Sequence, residues 1–453
     1  MHPPIRLALK QRVLTAGIWS LAGYGCNQVL RFGSNLLMTR LLVPEMFGVM
    51  AIAYIVMSGL AMFSDLGFKP NVVQSKRGND PVFLNTIWVT QILRGMLLWL
   101  FALIASLLIY YANRIGIVPK GTVYADPILP FVVAILSATA ITSGFESTKL
   151  LQASRNLLLK RVAQIEIASQ IATILCMIGW AVIDRSIWAL VAGAISAAVV
   201  RVILSHTWLP GVSNRWRWDK LAFLEIFHFG KWMFLSSILG FLVNSGDRLL
   251  LGGLLNSNSL GIYSIAYLIF NSLEQVPMKI MGDVSFPALS EVSRDRPTEF
   301  KRSYYRFHVV IASFVYICSG VLITSGASLV HLLYDPRYEQ AGWMLEVLAV
   351  ALLTVPFRLA TQSFLALGLP HLLSTVIAIR LVTLFVATPI GFYSLGILGA
   401  LWGIVLSHFS YLPTIIIYNV RHKIFDLRTE VYLLPIIPVG MVVGRLVAAM
   451  IGH

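Results

Sequence analysis

The sequence predicts an all-α polytopic membrane protein built from two six-helix repeats, with a thirteenth span at the C-terminal end. Three observations carry this. Of 453 residues, 57% are hydrophobic and 12% charged, about half the charged fraction of a soluble domain; the mean hydropathy is +0.79. Apolar runs of the ~20 residues needed to cross a bilayer recur along the whole chain. Finally, "LLVPEMFGVMAIAYIV" (41–56) returns 213 residues later as "LLNSNSLGIYSIAYLI" (254–269), each copy at a junction of two apolar segments.

The spans follow in order. The first, 15–38, comes after the basic Arg6, Lys10 and Arg12; the second, 47–68, begins inside the first copy of the repeat and ends at Lys69, Lys76 and Arg77. A third at 85–111 closes at Arg114 and Lys120. The fourth and fifth, 128–150 and 165–183, flank Arg155, Lys160 and Arg161; the sixth, 186–208, follows Arg185. The stretch 210–232 then carries Arg215, Arg217, Lys220 and Lys231 among Trp and Phe residues, a composition that suits a helix lying in the membrane interface. Beyond it come spans at 231–254, 260–282, 305–330, 342–367, 371–392 and 396–420. The last, 432–450, is short and carries Arg445.

Counting basic residues between spans orients the chain. With the N-terminus in the cytoplasm, the cytoplasmic pieces hold 21 Lys and Arg and the outer pieces only five: Arg40, Arg114, Lys120, Arg185 and Arg337. Basic residues concentrate on the cytoplasmic side of membrane proteins, and this also explains the +15 net charge without nucleic-acid binding. The organisation expected is an N-terminal lobe at 1–209, a cytoplasmic connection at 210–230, a C-terminal lobe at 231–420, and a loop and final span at 421–453. Six spans return the chain to its starting side, so the repeats share one orientation and relate by a pseudo-two-fold axis along the membrane normal. Gly48 and Gly261 permit a tight turn or close helix approach in the two copies; for Tyr54 and Tyr267 packing is the expected role.

Ionisable groups inside spans are costly and face a cavity or a partner. Lys149, Arg201 and Lys279 are near enough to cytoplasmic span ends to snorkel. Arg31, Arg94, Arg358 and Arg380 are deeper and come from both lobes. With Arg248 they point to a cationic, water-filled cavity, and guanidinium groups pair well with phosphate oxygens. The competing reading has these arginines pinning helices through Glu146, Asp247, Glu274 or Glu346. Asp247 and Glu274, the latter three residues before Pro277, are candidates for binding a coupling cation, H+ or Na+. No metal site and no other cofactor is expected. Cys26, Cys176 and Cys318 each lie in an apolar run and read as inert buried thiols. No phosphate loop of the G-x-x-x-x-G-K-[ST] kind is present, and no segment offers an enzyme active site.

Three stretches carry a family resemblance: "RLLVPEMFGVMAIAYIVMSGLAMFSDLGFKPNVVQ" (40–74), "SGDRLLLGGLLNSNSLGIYSIAYLI" (245–269) and "VSFPALSEVSRDRPTEFKRSYYR" (284–306). They resemble the polysaccharide-export family, the Wzx-type oligosaccharide flippases. The resemblance implies the two-lobed fold of the multidrug/oligosaccharidyl-lipid/polysaccharide (MOP) exporters and a multi-pass protein of the bacterial inner membrane. It implies translocation of undecaprenyl-diphosphate-linked oligosaccharide by alternating access, for exopolysaccharide, capsule or O-antigen assembly. The partners it implies are the lipid-linked oligosaccharide, membrane lipids and the polymerase and other polysaccharide-assembly proteins. Two departures stand out: Asn256-Ser257-Asn258 replaces the family's frequent Gly-Pro-x, and the thirteenth span exceeds the family's twelve. The rival readings are a drug or cation antiporter on the same fold and a non-transporting scaffold of polysaccharide assembly.

Overall fold

The computed structural model describes residues 3–451 apart from Asp65, Lys76 and Leu157. Asp65 of the Ser64-Asp65-Leu66-Gly67 motif and Lys76 of the basic loops therefore lie outside the described residues, as do the side chains of Arg6, Lys10, Arg12 and Lys231. Every regular element among the described residues is helical. In a membrane this is expected, because a helix satisfies its backbone polar groups within one segment.

The chain divides into two compact units, Met1–Phe241 and Leu242–His453. The first contains α1 (Pro3–Leu41), α2 (Pro44–Phe63), the short α3 (Phe68–Gln74), α4 (Pro81–Ile115), α5 (Leu129–Leu136), α6 (Ala138–Gly144), α7 (Lys149–Arg155), α8 (Leu159–Ile183) and α9 (Trp188–Thr207). The division falls inside α10 (Lys220–Gly252), not in the 210–230 connection. The reason lies in how that connection folds. The Asn214 amide donates to Thr148 Oγ1 at 2.7 Å, and the Arg215 and Asp219 amides donate to Asn85 and Thr86. Ala222 and Ile226 are buried with Phe68, Phe83 and Ile87. The segment 210–219 is thus held by the first unit and carries no helix; the interfacial helix expected there is replaced by the start of α10, where Asp219 accepts from the Ala222 amide.

The second unit continues with α11 (Ser257–Ile280), α12 (Phe286–Asp295), α13 (Phe300–Leu333), α14 (Ala341–Leu352), α15 (Leu359–Ala366), α16 (Pro370–Phe409), α17 (Leu412–Arg421), α18 (Leu427–Leu433) and α19 (Ile436–Ile451). The repeat is visible in matching features of each unit. Helix α2 starts at Pro44, and α11 starts 213 residues on at Ser257. Their turns differ where the sequences differ: Pro44 opens α2 after an extended Val43, whereas Asn256 caps α11 by accepting from the Ser259 amide at 2.8 Å. The fourth span of each unit is broken, by 64° between α6 and α7 and by 43° after α14.

Among the described residues, seven helical stretches are long and apolar enough to cross a membrane, nine if each bent pair is one span. The C-terminal stretch, Leu427–Ile451, is among them. One stretch, Leu372–Arg421, carries two of the expected spans. Leu395 and Gly396 leave helical geometry inside it, and Gly396 has φ +63°, a left-handed value glycine adopts freely. Helix α11 stays outside the set, since Asn271, Glu274, Gln275 and Lys279 dilute its apolarity.

Helix α19 packs against α13 through small residues. A Cβ built on Gly320 would lie 2.5 Å from Ile437 O, and one on Gly440 would lie 2.6 Å from Ile317 O. At the other end of this contact a polar cluster ties α18 to α13. Glu430 accepts from Tyr305 Oη at 3.0 Å and lies 3.2 Å from His308 Nε2, while Lys301 Nζ donates to Phe425 O.

Candidate functional site

Helices that carry ionisable groups into an apolar interior must gather them, because an isolated buried charge costs several kcal/mol. The second unit does this in a pocket of about 420 Å³. Five of the seven residues singled out from sequence line it: Asp247, Arg248, Glu274, Arg358 and Arg380. They come from four elements. Asp247 and Arg248 sit on α10, Glu274 on α11, Arg358 at the break after α14, and Arg380 on α16.

The pairing is specific. Arg358 Nη1 lies 2.7 Å from Glu274 Oε1. Asp247 accepts a 2.6 Å hydrogen bond from Tyr263 and sits 3.7 Å from Arg248 Nε. Arg248 also donates to Asn244 O at 2.8 Å and lies over the Tyr267 ring at 4.3 Å, a cation–π distance. Arg380 Nη2 is 3.0 Å from His408 Nε2. Since a guanidinium only donates, His408 accepts at Nε2, and its imidazole is the neutral Nδ1–H tautomer.

Three arginines face two carboxylates and a neutral histidine. Buried N–H groups remain without an acceptor at Arg248 Nε, Arg358 Nη2, Arg380 Nε and His408 Nδ1. Buried donors left unmet cost about 1–3 kcal/mol each, more when charged. Arginines outnumber carboxylates three to two in the pocket lining, and an anion with several oxygens suits that excess of positive charge.

The other two expected residues lie in the first unit. Arg94 lines a separate pocket of about 290 Å³. Its guanidinium donates to Ala61 O at 2.7 Å and Ser64 Oγ at 2.9 Å, and lies over Phe68. It thus satisfies one carbonyl at the C-terminal end of α2 and the hydroxyl of Ser64 just beyond it. Arg31 is exposed on α1, close enough to Tyr54 to act on it electrostatically. Two span-end residues also differ from expectation. Lys149 is buried, not snorkelling, and donates to His206 O at 2.8 Å near the end of α9; Arg201 pairs with Glu146 at 3.0 Å.

Sequence reasoning missed Tyr263 and His408, and it gave Tyr54 and Tyr267 a packing role although each lines a pocket. One signal was available. Tyr267, Asn271, Glu274 and Met278 recur at three- and four-residue spacing, so they share one face of α11 with the glutamate.

The comparisons agree with this fold. The family model described as "Polysaccharide biosynthesis protein" matches residues 37–343. The chain belongs to the polysaccharide biosynthesis protein family. Within that range lie both copies of the repeat. A putative O-antigen transporter of Shigella flexneri is 23% identical over 299 residues, 64% of this chain and 69% of that protein. Among solved structures, the lipid II flippase MurJ in an inward closed conformation superposes with TM-score 0.69 at 12% identity, covering 96% of this chain and 97% of the other. An inward-facing multidrug resistance MATE family transporter of the MOP superfamily gives 0.67 at 13% identity, covering 87% and 94%. This family member is a multi-pass membrane protein with the MOP-superfamily transporter fold.

Proposed function

We propose that the protein translocates undecaprenyl-diphosphate-linked oligosaccharide units across the bacterial inner membrane by alternating access, for assembly of a surface polysaccharide. The N-terminus is cytoplasmic in this reading. The observation that carries it is the second-unit pocket, where Arg248, Arg358 and Arg380 line one cavity with only two carboxylates, Asp247 and Glu274. A diphosphate supplies several anionic oxygens at once, and arginine forks bind such groups in bidentate fashion. The likeness to the Shigella relative, a putative O-antigen transporter, supports the same cargo class.

The pocket also suggests how cargo couples to a cation. Glu274 is held by Arg358 and Asp247 by Tyr263. A diphosphate that draws Arg358 away frees Glu274 to take H+ or Na+. A ligand shifts a conformational equilibrium only through differential affinity for its states, and exchange of partners on Arg358 supplies such a difference. An antiporter for cationic drugs is disfavoured, because arginines outnumber carboxylates in the pocket.

The test is replacement of Arg248 and Arg380 by Gln in cells that depend on this chain for polymer export. The expected outcome is loss of export, with lipid-linked glycan accumulating and detectable by mass analysis. Export at the wild-type level would overturn the reading. So would loss of export without accumulation, which is the signature of a scaffold.

A further inference from the structure

Helix α13 carries a stripe whose chemistry changes along its length. Arg302, Arg306, Val310, Phe314 and Ile317 follow one another at four- and three-residue spacing, which places them on one helix face. All five are exposed, Val310 at 68%. The first two are cationic and the other three apolar, so the face has a charged head and an apolar track. Three carboxylates at the charged end are engaged elsewhere: Glu299 with Arg296 at 3.6 Å, Glu430 with Tyr305 and His308, and Asp426 with Thr429 at 2.6 Å. Among the described residues neither Arg302 nor Arg306 pairs with a carboxylate.

The C-terminal segment borders this face on two sides. Helix α18 docks on α13 through Glu430, and its Arg428 and Tyr432, one turn apart, are exposed, Tyr432 at 80%. A tyrosine so placed suits the headgroup level of a membrane. Further along, α19 closes the track, since Gly440 packs against the carbonyl of Ile317. The length left open matches one leaflet. From Arg302 to Ile317 a helix rises about 22 Å, half of a bilayer that measures about 40–45 Å across its headgroups. The stretch Pro297–Leu333 is long and apolar enough to cross a membrane, so the apolar track lies at acyl-chain depth and the arginines at the headgroups. A basic loop by itself needs only water and a diffuse anionic surface. Here two guanidinium groups share one face with an apolar track, so the phosphate and the chain of a single molecule are met together.

We infer that this face of the second unit is a binding site for one anionic phospholipid. Arg302 and Arg306 hold its phosphate, as guanidinium groups do well, and an acyl chain lies along Val310, Phe314 and Ile317 as far as α19. A zwitterionic lipid brings its own ammonium group to the phosphate, which opposes the arginines, so a lipid of net negative charge is the match. In the proposed orientation it belongs to the cytoplasmic leaflet. The site is independent of the transported cargo.

The test titrates full-length protein in detergent with phosphatidylglycerol, phosphatidylcholine or inorganic phosphate and counts bound lipid by native mass spectrometry. One phosphatidylglycerol is expected to bind and to resist displacement by the other two in excess. Arg302→Gln with Arg306→Gln is expected to weaken it about thirtyfold, the worth of two basic residues at a membrane surface. Arg215→Gln with Arg217→Gln removes the same charge from exposed positions of the first unit and should leave it unchanged. Val310→Asn, with both arginines kept, should weaken it several-fold through lost apolar contact. All these side chains are exposed, so unfolding midpoints without added lipid are expected to match wild type, and lost binding then reports the site and not the fold. Equal weakening by the two arginine pairs reveals a diffuse charge effect and overturns the site. Equal affinity for phosphatidylcholine, displacement by inorganic phosphate, or full affinity in Val310→Asn overturns it as well.

Discussion

At the residue scale the second-unit pocket is governed by the Arg358–Glu274 pair, 2.7 Å apart and largely buried. Removing one partner leaves the other charge buried and unpaired, which costs about 3–5 kcal/mol, whereas replacing both by apolar residues of similar volume is close to neutral. Arg358→Ala is therefore expected to lower the thermal unfolding midpoint sharply in detergent. The double variant Arg358→Met with Glu274→Leu should recover most of that stability while export stays lost. Recovery of both together would mean the pair only pins helices. Ionisable residues such as these were legible in the sequence because a charge inside an apolar run is conspicuous, and five of them line one pocket. Tyr263 and His408 were not, since a polar tip on an aromatic ring looks like packing until its hydrogen bond is seen. Nor did the position of Arg94 reveal that its guanidinium meets the end of α2.

At the element scale, caps and close contacts decide where helices start and how they meet. Asp80 caps α4: its Oδ1 accepts from the Val82 amide at 2.9 Å and its Oδ2 from Arg77 at 2.9 Å. Burial alone would raise its pKa, but the Val82 amide and Arg77 outweigh that and hold the carboxyl below its ordinary 3.8. A depressed folded pKa means the carboxylate contributes stability above pH 3.8 and loses it as pH falls through the folded value. Asp80→Ala is expected to cost about 1 kcal/mol at neutral pH, with the gap to wild type closing in melts below pH 3.8. If the gap persists there, Asp80 acts through something other than its charge. A second contact defines the thirteenth span. A side chain on Gly320 would meet Ile437 O and Met441 N of the C-terminal segment, so Gly320→Leu should force α19 off α13. Limited proteolysis within 421–435 should then become faster than in wild type, and an unchanged rate would refute the close packing. Spans and breaks of this kind were only partly readable. The apolar runs located the helices, whereas the fold of 210–219 onto the first unit depends on Asn85, Thr86 and Thr148, distant positions that no local pattern announces.

At the scale of the whole molecule, orientation is the property that charge and span number fix jointly. In the orientation proposed above the N-terminus is cytoplasmic, with twenty-one basic residues inside against five outside, because such residues resist transfer across the membrane. Each crossing then inverts the side, so every loop tests the number of spans before it. The sharpest such test lies at the C-terminal end. The stretch Leu427–Ile451 is long and apolar enough to cross, and Arg421, Lys423 and Arg428 precede or open it. In the proposed orientation those residues would hold the 421–428 loop in the cytoplasm after twelve spans, and a thirteenth crossing would deliver the far end to the periplasm. Alkaline phosphatase, active only outside the cytoplasm, should be inactive when joined after Phe425 and active after Ile451. Activity at both points, or at neither, would show that the last stretch does not cross. Replacing Arg421, Lys423 and Arg428 by Gln should weaken the contrast, since the retained charge, and not the apolar length alone, sets which end stays inside.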